Sequence, residues 1–157
     1  MGENMIARSV LDQFERTLRM LREAILAFPP GEWRKGDTDY LRPAGVAYHV
    51  IETIDFYTSE QSVDEFSWGH RFGVDWEDSR SEGLPLQDEV IEYLTEVESK
   101  LVGWLEATDL SSEERQYPWT GATQLSRAIY TLRNTQHHLS EMCLELTRRG
   151  YRGPEWQ

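Results

Sequence analysis

The sequence predicts an all-α protein, a four-helix bundle, on three observations. Four segments place apolar residues at three- and four-residue steps, the period of a helix that buries one face. No segment keeps the strict alternation of a half-buried strand. Prolines, glycines and other turn formers gather between the periodic segments. Four one-sided helices bury their stripes most simply against one another.

Helix one reads from about Asn4 to Phe28, with Ile6, Val10, Phe14, Leu18, Leu21, Ile25 and Phe28 inward, and Pro29 and Pro30 stop it. The turn-rich stretch GEWRKGDTDYLRP follows. Pro43 then suits the first turn of helix two, which runs to about Glu60 with Val46, Val50, Ile54 and Tyr57 as its stripe. Helix three spans about Gln87 to Ala107, with Val90, Leu94, Val97, Leu101 and Trp104 or Leu105 inward and Asp88 and Glu89 in its first turn, where acidic groups complement the dipole. Helix four runs from Gly121 or Ala122 to Arg149, capped by Thr120, with Leu125, Ile129, Leu132, Leu139, Cys143 and Leu146 inward and Gly150 at its C′ position. The connection from Gln61 to Leu86 is too long for a tight hairpin. Its Phe66, Trp68, Phe72 and Trp76 predict an ordered cover over one end of the bundle.

At 157 residues the chain fits one domain, residues 1–157, large enough for a continuous core without disulfides. Cys143 is the single cysteine, which fits a reducing compartment, with the cytoplasm as the expected location. Charges interrupt the apolar positions of MGENMIARSVLDQFERTLRML, which argues against a signal peptide or a membrane span. Sixteen Lys and Arg against 28 Asp and Glu give a net charge of −12, which repels a phosphate backbone and makes nucleic acid an unsuitable partner. Six Trp, seven Tyr and five Phe exceed what a minimal bundle needs and point to a lined cleft or a dimer surface.

The residues with the most specific chemistry are His49 and His138. At about 100° per residue, each lies roughly one step to the side of its helix's apolar stripe, so the two helices can present them to one cleft. His137 falls on the opposite side and reads as solvated. Asn134 lies one turn before His138 on the same flank. Two neutral imidazoles can bind a divalent transition metal and leave positions open for water or substrate, while an amide oxygen at Asn134 is a weaker donor. Glu52 and Glu141, each three residues after an inward-leaning histidine, are possible accessory groups, although exposure on an acidic surface is the ordinary expectation for both. His70, in SWGHRFG, reads as a loop residue. The bland alternative is a polar ladder in which His49, Asn134 and His138 satisfy one another by hydrogen bonds.

The helix order, the early histidine of AYHVIETIDFY, the turn PWTG and the segment LRNTQHHLSEMCLELTRRG resemble the DinB-like (DinB/YfiT) metalloenzyme superfamily over essentially the whole chain. The resemblance implies an up-up-down-down bundle, frequently dimeric, with a metal at one end held by a helix-two histidine and an HxxxH pair on helix four. In this sequence those positions are His49, Asn134 and His138, so the chain departs from the three-histidine pattern at Asn134. Members of that family include S-transferases and isomerases that use low-molecular-weight thiols such as bacillithiol, mycothiol or glutathione, and hydrolase-like proteins. The implied cofactor is a divalent transition metal (zinc, nickel, iron or manganese), and the implied partners are a small-molecule substrate and a second copy of the chain. Two other functions stay open. One is a non-catalytic bundle of this kind that binds a ligand or partner, its metal site reduced to a His/Asn cluster. The other is a structural bundle acting through a dimer surface.

Overall fold

A computed structural model describes residues 2–38, 41–76 and 80–157, with side chains from Met5 onward. Four long helices dominate these residues: α1 (Gly2–Ala27), α2 (Pro43–Tyr57), α3 (Gln87–Ala107) and α4 (Gln124–Arg148). Short 3-10 turns at Ser81–Gly83 and Pro118–Thr120 precede the last two. β pairing among the described residues is confined to one isolated bridge, Glu113 with Thr123. No helix among them is long and apolar enough to cross a membrane.

The four-helix bundle stands, and helix three has the predicted limits. Helix four starts later than expected: its N-cap is Thr123, whose hydroxyl accepts the Ser126 N–H, and not Thr120, which sits inside the preceding 3-10 turn. Gly150 takes a φ of 82° beyond the last turn, the left-handed geometry expected at C′. Ile6 and Ile129, assigned inward, are 45% and 43% exposed. Ile6 belongs to the first two turns of α1, whereas Ile129 points away from the face of α4 that is buried, which runs through Ala128, Thr131, Thr135 and Leu139.

Helix direction is where the resemblance misleads. At one end of the bundle the Ala44 N–H donates to the Trp33 carbonyl (3.0 Å), and Gln87 in the first turn of α3 donates to the carbonyls of Ile25 and Phe28 (2.7 Å each). Arg149, just past α4, donates to the Glu32 carbonyl at the same end (3.0 Å). At the opposite end Glu60, just past α2, receives Trp104 from the end of α3 and Arg127 from the start of α4. Helices α1 and α4 therefore run one way and α2 and α3 the other, an up-down-down-up order and not up-up-down-down. Each of α1 and α2 packs on both α3 and α4, which places α1 and α2 across the diagonal.

The connections enforce this order. The segment after α1 stays at one end because Trp33 folds back, 1% exposed, beside Phe28, and its Nε1–H donates to the Pro85 carbonyl (2.9 Å). The connection to α3 must instead retrace the whole of α2, about 22 Å at 1.5 Å per residue. Its described residues 58–76 do so as a strap. Phe66 and Trp68 pack on Phe56 near the end of α2, and Phe72 and Trp76 pack on Tyr48 and His49 nearer its start. The aromatic connection thus covers the side of α2 and not one end of the bundle. Helix α2 consequently has neighbours nearly all round: 14 of its 15 residues are buried, and the exception, His49, is half-buried.

Candidate metal centre

His49 and His138 meet about midway along α2 and α4. Their ring centroids are 4.8 Å apart and their planes are perpendicular (89°). The strap supplies a third wall, with the Trp76 indole 4.0 Å from the His49 ring and tilted by only 30°. Each wall follows from local sequence: Thr53 donates its hydroxyl to the His49 carbonyl (2.8 Å), and α4 carries Asn134, His137, His138 and Glu141 on successive turns.

Glu141 decides how His138 is held. Its Oε2 lies 2.7 Å from His138 Nδ1, so the ring donates Nδ1–H to the carboxylate and, when neutral, turns its lone pair out through Nε2. A carboxylate behind a histidine in this way fixes the tautomer and raises the basicity of the free nitrogen. The other carboxylate oxygen is 3.5 Å from Nε2 of His137, whose side chain is 69% exposed. His137, His138 and Glu141 form a cluster that could hold a metal ion, with ligand atoms within 4.8 Å of one another.

Asn134 does not complete a direct polar ladder. Its Oδ1 and the Nδ1 of His49 are both buried without a hydrogen-bond partner. Buried polar atoms are nearly always satisfied, so two orphans on a pair of packed helices amount to an unfilled demand for a donor or a cation, and Asn134 also lines a surface cavity on α4 with Tyr130 and His137. Burial and the neighbouring His138 push the His49 pKa down to about 4, against the opposing pull of Asp75. The ring is therefore neutral near pH 7, the form that ligates metals.

No family model matches the chain. No curated protein matches it either.

A lowered histidine pKa has a defined effect on stability. The unfolded ring takes up its proton near pH 6.5, the folded one near 4, so the unfolded state binds more protons between those values and stability falls as pH drops through that window. The full loss is about 3 kcal/mol. In chelator-treated protein, the stability advantage of wild type over His49→Gln should shrink by about that much between pH 7 and pH 4; urea titrations at a series of pH values measure it. An unchanged difference would mean that the ring titrates normally.

The structure separates Glu52 from this site and reverses its expected exposure. Glu52 is 1% exposed; its Oε1 accepts the Gly69 N–H and lies 3.5 Å from the Tyr48 hydroxyl. Burial pushes its carboxyl pKa up, while the Gly69 N–H pulls the other way. Nearby, Asp55 accepts the Tyr93 hydroxyl (2.7 Å) and pairs with Lys100, and Nε2 of His70 stands 3.5 Å from Asp55. Sequence reasoning missed this second polar cluster because it treated α2 as one-sided. The signal was present: Glu52 and Asp55 are the only acidic residues in the largely apolar PAGVAYHVIETIDFY.

Proposed function

We propose that the chain is a metal-dependent small-molecule enzyme of the DinB-like kind, a thiol-dependent S-transferase or a hydrolase. The observation that carries the metal is the pair of orphaned atoms, His49 Nδ1 and Asn134 Oδ1, beside a His138 whose Nδ1–H is already taken by Glu141. The donor set fits a divalent transition metal: two imidazoles from His49 and His138 and a weaker amide oxygen from Asn134, with Glu141 positioning His138. Bound there, such a metal would lower the pKa of a thiol or a water and supply a nucleophile near neutral pH. The chain's own part is to keep His49 neutral by burial, to hold the His138 tautomer through Glu141, and to shield the site from water with Trp76.

His138 belongs to two candidate sites, and this makes the reading testable. Its ring packs perpendicular to that of His49. Its Nδ1 edge meets Glu141 and, with His137, forms the cluster that could serve as an alternative site. Untagged protein purified without chelator or metal-affinity resin should contain near-stoichiometric metal by elemental analysis. His49→Ala should lose it, and His137→Ala should keep it. The reverse pattern would move the metal to the outer face of α4. Metal-free wild type that takes up no zinc, nickel, iron or manganese would favour the non-catalytic bundle.

A further inference from the structure

We infer that the segment from Phe66 to Trp76 is a latched lid on the His49 site, clasped to α2 and α3 at one end and closing the site with Trp76 at the other. This rests on the reading of His49 and His138 as the ligand site, but it concerns access and not the metal itself.

The clasp is built from groups remote from His49. Gly69 donates its N–H to the buried Glu52 carboxylate, Arg71 pairs with Glu96 of α3 (2.7 Å), and Phe72 sets its edge against Tyr48 and Tyr93 (5.0 and 5.9 Å). Between clasp and lid the chain closes on itself: the Gly73 N–H donates to the Gly69 carbonyl (2.7 Å). Gly69 has a φ of 79°, and a Cβ there would lie 2.7 Å from the Val74 carbonyl oxygen. An L side chain at that position is therefore excluded on two counts, backbone conformation and space. The turn acts as a stiff link that transmits the position of the clasp to Trp76.

The lid end has the matching property. The Trp76 indole lies over the ring whose Nδ1 is buried and unpartnered. A reagent, metal or substrate approaching that face meets the indole first. With the Glu52–Gly69 contact intact the indole covers one face of a half-buried His49 whose Nδ1 is fully enclosed; when that contact is lost the link loses its anchor and the covered face and Nδ1 open to solvent. His70, Asp55, Lys100 and Tyr93 line the wall of the cavity of about 300 Å³ beside the clasp, so one side of the latch opens on polar and charged groups.

The test is carbethoxylation of metal-free full-length protein by diethyl pyrocarbonate, with the rate at each histidine read by peptide mass spectrometry. His137 is the internal control for an open imidazole. In wild type, His49 should react at least tenfold more slowly than His137. Trp76→Ala should raise the His49 rate about tenfold without changing that of His137, and Gly69→Ala should do the same from the remote end. Circular dichroism confirms that each variant is folded. If Gly69→Ala does not fold, Arg71→Ala loosens the clasp more gently and should raise the His49 rate severalfold. Equal rates at His49 and His137 in wild type, or a His49 rate insensitive to Trp76→Ala, would overturn the lid. A response to Trp76→Ala but to neither clasp variant would overturn the latch. Because the protein is metal-free, failure of the metal reading leaves these rates unaffected and shows separately, as absence of uptake by protein whose His49 has been opened.

Discussion

Arg127→Ala is expected to be the most destabilising single change outside the aliphatic core, by about 3–5 kcal/mol. Arg127 is fully buried where α4 begins. Its Nε and Nη2 bond Glu114, its Nη1 bonds Glu60 (2.8 Å), and its guanidinium lies 4.5 Å from the Tyr117 ring centroid and 5.5 Å from that of Trp104. The Glu114 side chain is itself fully enclosed. Burial alone would raise its pKa, but the Arg127 hydrogen bonds and the Tyr117 N–H outweigh that and hold it below the ordinary value. Removing the arginine leaves a carboxylate with no cation in a dry site, which is why the loss exceeds the worth of an exposed pair. Urea unfolding at pH 7 measures it. The companion variant Arg127→Ala/Glu114→Gln should recover part of the loss, and the cost of Arg127→Ala should shrink in acid as Glu114 takes a proton. Additive single losses would mean that the two residues act independently.

The second large effect concerns the metal. Asn134→His should raise zinc or nickel affinity by at least about 100-fold, because a direct imidazole ligand should matter at least as much as the positioning partners whose loss costs 10–100-fold. Asn134 is one turn from His138, and its side-chain oxygen is buried without a partner, so the new ring replaces an unsatisfied acceptor. Competition against a chromophoric chelator gives the affinity. Adding His49→Ala to Asn134→His should abolish most of the gain, since the inner site needs both helices. An affinity unchanged by Asn134→His would show that the three positions do not converge on one ion.

What was legible in the sequence was periodic or punctuated. Pro29, Pro43 and the phase of Val90, Leu94, Val97 and Leu101 fixed where helices stop, start and face, and the phase of His49 and His138 relative to their stripes brought those two rings together as expected. Three things escaped because they depend on the path of the chain. The strap's route along α2 hid the burial of Glu52, which from helical phase alone looked solvated, and with it the cluster around Asp55. It also set the direction of α3, since a connection that retraces a helix makes its successor parallel. The Trp76 lid came from a loop with no period to place it. Thr120 was mistaken for the cap because PWTG reads as a turn followed at once by a helix, whereas the chain takes a 3-10 turn first.

The enclosure of α2 on nearly every side has a consequence during synthesis. The helix leaves the ribosome before its covers: the strap follows directly, then α3, and α4 begins only roughly 70 residues later. At about 5–20 residues per second, an apolar segment with almost no charge waits on the order of 3–14 s for its last wall. Nascent chains halted before α4 should therefore bind hydrophobic-segment chaperones through PAGVAYHVIETIDFY, and release should coincide with the emergence of the segment that carries His138.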